Sequence, residues 1–393
     1  MNTIFADRLI DVPRSFIREI LKVTLDPTVI SFAGGLPNRD FFPIDQLKEA
    51  TEAVFDIYGK DVFQYSSSEG LPELRQYIAD TYQKENNLTV SPDNILITSG
   101  SQQGLDIIGK TFLNRGDGLL IEEPGYLGAI QAFSIYKPNF LPVPVNNDGM
   151  DSSKFEAVFT AEKPKLIYTV PNFQNPTGIS YSEENRVSMA NVVKGTNAIL
   201  IEDDPYGSLR YKGQKKSPFK RLLPDNTILL GSFSKTVVPG FRIGWLVAPD
   251  HIMQKIIIAK QATDLHTSHF TQSIIYQFLA NCNVETHIDR IRQAYGKQCS
   301  AMQEAISAYF PSSVTCTSPE GGMFLWAELA ENMSALELFD IAANDKVVFV
   351  PGDPFYVNRK DTNTMRLNFS CVSEETIQTG IQRLGKAIEK ISS

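Results

Sequence analysis

Apolar residues follow two recurring patterns along most of the chain: short continuous runs, and longer stretches in which they return every three or four positions. Residues 71–86 and 101–113 show the second pattern, which is typical of amphipathic helices, and the run NILIT at 94–98 lies between them. Further short runs predict strands at 118–122, 139–145, 165–170, 198–203, 227–233 and 244–249. Strands that alternate with helices predict an α/β fold, with a mainly parallel sheet covered on both faces.

The pattern changes near residue 284. Residues 284–310 predict one long amphipathic helix, and a last helix ends the chain. Between these two helices, shorter strands are predicted at 321–329, 346–352 and 364–370. A chain of 393 residues also exceeds the size at which a single core usually stops growing. We therefore predict a large α/β domain over residues 45–283 and a smaller α+β domain formed by residues 1–44 and 284–393.

Charge and cysteine usage narrow the classes of function. The net charge of −8 disfavours broad electrostatic binding to nucleic acid or to an anionic membrane. No stretch approaches the roughly 20 apolar residues of a membrane-spanning helix, and the N-terminus lacks the basic start and apolar core of a signal peptide. The four cysteines form no CxxC pair, so we predict no metal site and a cytoplasmic protein with free thiols.

The first candidate reactive segment is GSFSKTVVPGFRIGW at 231–245, where an apolar strand ends in a loop that contains Pro and Gly. Taken alone, Lys235 in this loop would be an ordinary surface lysine, because most lysines are solvated. Ser232 and Ser234 precede it and Arg242 follows it, and such hydroxyl and guanidinium donors can converge on a dianionic phosphate. These neighbours make Lys235 a candidate for contact with a phosphorylated ligand.

A second phosphate-compatible segment is TSGSQQG at 98–104, which places small residues between a strand and the following helix. Backbone N–H groups at such a helix start point outward, and the helix dipole favours an anion. Taken alone, this segment is more simply an ordinary tight turn. Two phosphate-compatible segments in one chain are harder to explain in that way.

Two more polar segments follow predicted strands. IEDDPYG at 201–207 ends a strand with two acids, which are common as helix caps or turn formers, but a protonated pyridine nitrogen also requires a neighbouring carboxylate. PNFQNPTG at 171–178 places an Asn between two prolines, and alone it is only a turn. All four segments follow predicted parallel strands at their carboxyl ends, where open α/β sheets bind their ligands.

On these residues the chain resembles the fold-type-I pyridoxal-phosphate (PLP) enzymes of the class I/II aminotransferases, and most closely the 2-aminoadipate aminotransferase group. The resemblance covers essentially the whole chain. The motifs that carry it are, in order, SFAGGLP (31–37), QYSSSEG (64–70), GSQQGLD (100–106), EEPGYLGAIQAF (122–133), NFQNPTG (172–178), EDDPYG (202–207), SFSKTVVPGFRIGW (232–245), GGMFLW (321–326) and MRLNFS (365–370).

The resemblance implies a role for each cofactor-binding residue. Lys235 would form the Schiff base with PLP and shuttle the proton between Cα and C4′. Asp203 would pair with the pyridinium nitrogen, Tyr206 and Asn175 would hydrogen-bond the phenolic oxygen, and Tyr126 would stack on the ring. The residues expected to hold the phosphate are Ser101, Gln102, Ser232, Ser234 and Arg242.

The resemblance also implies substrate contacts and a partner. Arg366 would bind the substrate α-carboxylate with help from Asn175 and the Gly35 backbone, and Tyr65 would reach the phosphate of a neighbouring subunit in a homodimer. Arg18, in the predicted helix at 16–24, matches an arginine that pairs with the distal carboxylate of acidic substrates in the aminoadipate-type relatives. A solvent-facing helix arginine is an equal alternative for Arg18.

The resemblance implies an aminotransferase that moves an amino group from an amino acid of the 2-aminoadipate, aromatic or branched-chain type to a 2-oxo acid such as 2-oxoglutarate, by ping-pong chemistry. A β-lyase or decarboxylase reaction on the same scaffold is the first alternative, because these reactions share the site. The effector-binding module of a transcription regulator is the second. Such a regulator needs a winged helix-turn-helix, and too few residues precede SFAGGLP for one.

Overall fold

The computed structural model describes residues 4–10, 12 and 26–392. The predicted apolar runs form strands, because Val-, Ile- and Leu-rich segments suit a sheet that is covered on both faces. The strands are β1 Ile30–Ser31, β2 Ile95–Thr98, β3 Gly118–Glu123, β4 Asn139–Asn146, β5 Gly149–Met150, β6 Leu166–Thr169, β7 Ile199–Asp203, β8 Thr227–Ser232, β9 Gly244–Val247, β10 Thr315–Cys316, β11 Phe324–Glu328, β12 Val347–Val348, β13 Val350–Pro351 and β14 Thr364–Asn368.

Helices form where apolar residues return every three or four positions, and local polar side chains mark several of their starts. Asp151, Ser182 and Ser268 each accept a hydrogen bond from a backbone N–H of the following first turn, which is the usual N-cap arrangement. The helices are α1 Asp7–Ile10, α2 Ile44–Tyr58, α3 Pro72–Asn86, α4 Ser101–Phe112, α5 Leu127–Ser134, α6 Ser152–Glu162, α7 Glu183–Val193, α8 Phe219–Leu222, α9 Asp250–Asp264, α10 His269–Asn281, α11 Val284–Tyr309, α12 Ala335–Asn344 and α13 Glu374–Ser392.

Eight strands form the large sheet in the order β2-β9-β8-β7-β6-β3-β4-β5. The five strands from β8 to β4 are parallel to their neighbours, whereas β9 runs antiparallel to both β2 and β8. Because β9 is reversed between them, β2 and β8 point in the same direction. The carboxyl ends of β2, β3, β6, β7 and β8 therefore meet at one end of the sheet, which we call the carboxyl end.

Alternate residues of the central strands pack into different hydrophobic clusters. Leu96 and Leu230 face one cluster, whereas Ile97 and Leu229 face the other, as the two-residue period of a strand requires. All four side chains are buried. The two faces of the sheet are thus covered, which explains why its strands appear in the sequence as continuous apolar runs rather than as alternating ones.

A four-stranded antiparallel sheet, in the order β10-β11-β14-β13, forms a second unit of structure. The single strand predicted at 346–352 is instead two short strands: β12 pairs with β1, and β13 pairs with β14. The chain changes partner after two residues, which a hydrophobic pattern cannot reveal. The helix predicted at 16–24 lies outside the described residues, and the domain limits at 45–283 stay a prediction.

None of the helices within residues 4–10 and 26–392 is long and apolar enough to cross a lipid bilayer.

A buried ion pair lies beneath the carboxyl end of the sheet. The side chains of Arg186 and Glu202 are 0% and 1% exposed, and Nη1 of the first lies 3.8 Å from Oε1 of the second. Arg186 also donates to the carbonyl oxygens of Pro171 and Ser217 and to Oδ1 of Asn172. The pKa of Glu202 is raised to about 7, because burial outweighs the attraction of the guanidinium.

Removing the Arg186 side chain should therefore destabilise the protein strongly. We expect Arg186→Ala to lower the free energy of unfolding by about 3–5 kcal/mol, because the Glu202 carboxylate would remain buried without its guanidinium partner. Lys165→Ala, which removes a partly exposed pair with Asp117, should lower it by less than about 1 kcal/mol. Urea unfolding of both variants checks this, and equal losses would contradict it.

Candidate active site

A cavity of about 730 Å³ opens at the carboxyl end of the large sheet. The loops that follow β2, β6, β7 and β8 reach it, together with β14 of the smaller sheet. Most of the site residues predicted from the sequence line this cavity, namely Gly35, Ser101, Gln102, Tyr126, Asn175, Asp203, Tyr206, Ser232, Ser234, Lys235, Arg242 and Arg366. The fold thus brings together residues that lie more than 300 positions apart in the sequence.

Lys235 lies in the turn that connects β8 to the reversed strand β9, so this turn remains at the carboxyl end of the sheet. Its Nζ donates to the carbonyl oxygen of Gly35 at 2.7 Å. The pKa of Lys235 is lowered to about 8, first because burial removes water and then because the Arg366 and Arg242 guanidinium groups are nearby. An amine with such a pKa is partly neutral near pH 7 to 8 and can act as a nucleophile or base.

Asp203 ends β7 and is 1% exposed. Its Oδ2 accepts a hydrogen bond from the Tyr168 hydroxyl at 2.8 Å, whereas Oδ1 is buried and has no hydrogen-bond partner among the described residues. Burial raises the pKa of Asp203 to about 7, the negative charges of Asp204 and Glu122 add to this, and the Tyr168 hydrogen bond opposes it. A protonated pyridine nitrogen at Oδ1 would supply both the missing donor and the missing positive charge.

The predicted phosphate-binding residues form a cup at the start of α4. Gly100 precedes this helix with φ +79° and without a side-chain cap, so the first N–H groups of the helix remain available to an anion. A Cβ at Gly100 would collide with the Arg242 guanidinium, so glycine permits this close approach. The hydroxyl oxygens of Ser232 and Ser234 lie 2.9 Å apart beside it. These donors fit a dianionic phosphate.

Arg366 is 1% exposed and approaches the cavity from β14. Its Nη1 donates to Oδ1 of Asn175 at 2.9 Å, and its Nη2 donates to the carbonyl oxygen of Ala33 at 2.8 Å. The guanidinium lies 4.4 Å from the centre of the Phe324 ring, and in the part of the chain that the structure describes Nε has no hydrogen-bond partner. Burial lowers the pKa of Arg366 to about 10. The group is fixed in orientation and keeps donor capacity for a carboxylate.

Asn175 connects Arg366 to the tyrosine side of the cavity. Its Nδ2 donates to the Tyr206 hydroxyl at 3.4 Å, and both side chains are 4% exposed. Burial raises the pKa values of Tyr206 and Tyr126, the latter to about 12, so both phenols stay protonated at neutral pH. Tyr206 also contacts Phe324 edge to face, with ring centres 5.9 Å apart.

Three predicted residues stand apart from the others. The side-chain amide of Gln102 donates to the carbonyl oxygen of Gly128 at 2.9 Å, so its side chain already has a structural contact within the protein. Tyr65 does not line the cavity; it is 80% exposed, and its ring lies 5.9 Å from that of His266. Arg18 lies outside the described residues.

The sequence patterns did not reveal Tyr168 as a site residue. It lies inside the apolar run at 165–170, where a tyrosine is an ordinary strand residue. The parallel pairing of β6 with β7 sets Tyr168 beside Ile201, and its hydroxyl reaches the next inward-facing residue of β7, Asp203. Only the register between the two strands could have indicated this contact.

Comparison with known proteins agrees with this geometry. A family model for aminotransferases of class I and II matches residues 30–384. The aromatic-amino-acid aminotransferase 1 of Thermococcus litoralis is 38% identical over 98% of this chain and 94% of that protein. The 2-aminoadipate transaminase of Thermus thermophilus is 39% identical over 96% of this chain and 94% of that protein.

A solved structure extends the similarity to three dimensions. The Pyrococcus horikoshii kynurenine aminotransferase, in complex with PMP, superimposes with a TM-score of 0.95 at 38% sequence identity, over 99% of this chain and 98% of that one. The unpartnered Asp203 oxygen and the phosphate cup fit a cofactor of this kind. The chain therefore belongs to the class I and II aminotransferases, and it is a pyridoxal-phosphate-dependent transaminase of fold type I.

Proposed function

We propose that this transaminase moves the α-amino group of an amino acid of the 2-aminoadipate, aromatic or branched-chain type to a 2-oxo acid such as 2-oxoglutarate, in two half-reactions at one site. The observation that carries the proposal is the meeting of Lys235, the unpartnered oxygen of Asp203 and the buried Arg366 guanidinium in one cavity. These groups match the reacting carbon, the ring nitrogen and the α-carboxylate, respectively.

The named activities of the relatives and the lining of the cavity support the proposed donors. Leu36, Leu127, Ala132 and Ile135 form an apolar part of the cavity, which suits an aromatic or branched side chain. The relatives include an aromatic-amino-acid aminotransferase and a 2-aminoadipate transaminase. For acidic substrates, we propose Arg18 as the partner of the distal carboxylate.

The cofactor supplies an electron sink for the negative charge that develops at Cα when the substrate loses its proton. The protein would hold it through a covalent link to Lys235, through Asp203 at the ring nitrogen and through Tyr126 against the ring face. Asn175 and Tyr206 would donate to the phenolic oxygen. The phosphate would be held by Ser101, the backbone of Gln102, Ser232, Ser234 and Arg242.

The chain's own groups then position the substrate and move the proton. Arg366 binds the α-carboxylate by paired hydrogen bonds, with help from Asn175 and the Gly35 backbone, and so orients Cα toward Lys235. Once freed from the covalent link, the Lys235 amine would take the proton from Cα and deliver it to C4′, the cofactor carbon bonded to the transferred nitrogen. A positioned base of this kind contributes roughly 10²–10⁴-fold to the rate. Its lowered pKa keeps part of the amine population neutral and able to accept a proton.

We further propose a homodimer in which Tyr65 reaches the phosphate of the neighbouring subunit. Tyr65 is 80% exposed and does not line the cavity of its own subunit, as this role requires. Phe55 and Phe63 are also exposed, at 45% and 68%, and their rings pack with that of Phe270. A second copy over this aromatic surface would remove it from water.

The remaining proposals concern location and domain structure. A cytoplasmic location is supported by the four cysteines, all of which are free thiols in the structure. The division into a cofactor-binding domain at 45–283 and a smaller domain is supported by the separate large and small sheets.

Loss of the Lys235 amine should abolish the covalent link to the cofactor. We expect Lys235→Ala to bind PLP without a borohydride-reducible bond to the protein, and to lose transamination by a factor of at least about 10² because the base is removed. Mass spectrometry after borohydride reduction measures the link. A reducible bond to the protein in the variant would contradict the role of Lys235.

Transamination can be distinguished from the other PLP reactions by its products. We expect stoichiometric conversion of 2-oxoglutarate to glutamate with a productive amino donor, and parallel lines in double-reciprocal plots, because the two half-reactions share one site. Product analysis by liquid chromatography checks this across aromatic, branched-chain and 2-aminoadipate donors. Release of ammonia or carbon dioxide without glutamate would instead identify a β-lyase or decarboxylase.

Asp203 should destabilise the protein when the cofactor is absent. The pKa of Asp203 in the folded protein is about 7, above its ordinary value of 3.8. Its contribution to the free energy of unfolding therefore falls as the pH rises from about 4 to 7 and stays constant at higher pH. We expect the cofactor-free Asp203→Asn variant to unfold at a higher temperature than the parent, with a gap that widens between pH 4 and 7. The same variant should bind PLP more weakly. Calorimetry that finds a gap independent of pH would contradict the buried, unpaired state of Asp203.

A further inference from the structure

Glu122 is a buried carboxylate that the steps above do not use. It lies near the end of β3 and is 2% exposed. Burial raises its pKa, and the groups that oppose this shift are the neutral hydrogen-bond donors of Gln174, Thr169, Tyr181 and Val170. A carboxylate held in this way is unfavourable to bury, because no salt bridge within residues 26–392 compensates Glu122 for the lost hydration. Its presence therefore calls for an explanation beyond packing.

Four donors converge on this one side chain. Oε1 accepts hydrogen bonds from Thr169 Oγ1 at 2.7 Å, Val170 N at 2.9 Å and the Tyr181 hydroxyl at 2.7 Å. Oε2 accepts from Nε2 of Gln174 at 3.0 Å. We call these five residues the Glu122 cluster. A carboxylate has enough acceptor capacity for all four donors, whereas an amide has one acceptor oxygen and would turn its NH₂ group toward a donor in either orientation.

Gln174 connects Glu122 to the rest of the loop at 171–178 by hydrogen bonds. Its Nε2 also donates to the carbonyl oxygen of Pro124 at 2.8 Å, and its Oε1 accepts from both the backbone N–H and the hydroxyl of Thr177, at 2.8 and 2.7 Å. The side-chain amide is thus fixed at both ends and is 0% exposed. On its other side the loop is held by Arg186, which donates to Pro171 and Asn172.

Asn175 is the next residue along this loop. Its amide must meet two groups at once, because Oδ1 accepts from Arg366 and Nδ2 donates to Tyr206. A small rotation of the loop would break one contact or the other. The loop is held on both sides of Asn175. Gln174, immediately before it, donates to Glu122, and Thr177, two residues after it, donates to Gln174.

We propose that Glu122 is a positioning residue, whose buried carboxylate holds Gln174 so that Asn175 is aligned between Arg366 and Tyr206. The inference rests on the proposed function of Asn175 and Arg366 at the substrate carboxylate. Glu122 contacts neither substrate nor cofactor and acts through Gln174. Its substitution should therefore weaken substrate binding more than it slows the chemical step or weakens cofactor binding.

The test uses the holoenzyme with Glu122→Gln, which preserves shape but sets an NH₂ group against a donor. We expect KM for both the amino donor and 2-oxoglutarate to rise by about 10-fold or more, because the hydrogen bonds at Arg366 are misaligned. The value of kcat should fall by a smaller factor, and the borohydride-reducible link to Lys235 should remain stoichiometric. Asp117→Asn is the control. It removes the carboxylate that directly precedes β3, the strand that carries Glu122, and it should keep parental KM values.

A second variant separates positioning from general stability. Glu122→Gln combined with Gln174→Glu restores a donor facing an acceptor between the two side chains and keeps both contacts with Thr177, whereas the carboxylate oxygen that replaces Nε2 faces the Pro124 carbonyl oxygen without a hydrogen. We expect this exchange to recover at least half of the lost kcat/KM on a logarithmic scale. KM values that stay parental in Glu122→Gln, or an exchange that recovers nothing, would overturn the proposal.

Two further outcomes concern the folding of the variants, and each of them also decides the proposal. If Glu122→Gln alone does not fold, a folded exchange variant with KM near the parental value supports the proposal, and an exchange variant that does not fold overturns it. The proposed function is tested separately, by glutamate formation and by the Lys235 link in the parental enzyme. A parental enzyme that forms no glutamate contradicts the reaction itself, whatever the Glu122 variants show.

Discussion

The reversed strand β9 is the constraint on which the site depends. Because β9 runs antiparallel between β2 and β8, the turn that carries Lys235 and Arg242 stays at the same end of the sheet as the loops after β2, β6 and β7. A helical crossover at this point would have separated Lys235 from Arg242 by a longer connection. Parallel pairing brings the remaining loops together, and no single loop contains the site.

The charges at this end of the sheet complement a ligand rather than one another. Within residues 4–10, 12 and 26–392, one oxygen of Asp203 has no donor and Nε of Arg366 has no acceptor, although both groups are buried. The pKa of Lys235 is lowered first by burial and then by the two arginine cations in the same cavity. In the function that we propose, a dianionic phosphate, a pyridinium and a carboxylate would supply the missing partners, and the site would then need little reorganisation. Binding would restore the stability that the protein loses locally at these buried groups.

The sequence predicted those features that are local in the chain. Apolar runs gave most strands to within about two residues, and the polar segments at 98–104 and 231–245 were correctly expected at strand ends. The Tyr168–Asp203 hydrogen bond and the Glu122 cluster were not predicted, because they depend on the register between neighbouring parallel strands. The exchange of partners between β12 and β13 was missed for the same reason: hydrophobicity records burial but not the identity of the neighbour.

The segment before Leu36 contacts Lys235 and Arg366 through main-chain carbonyl oxygens. Lys235 donates to the carbonyl oxygen of Gly35, and Arg366 donates to that of Ala33. Carbonyl oxygens are present whatever side chain a residue carries, whereas the neighbouring Leu36 is 54% exposed and lines the cavity. In the function that we propose, mutation at position 36 would reshape the cavity for a new amino acid while the acceptors of Lys235 and Arg366 stay unchanged, so substrate preference could diverge without a loss of chemistry.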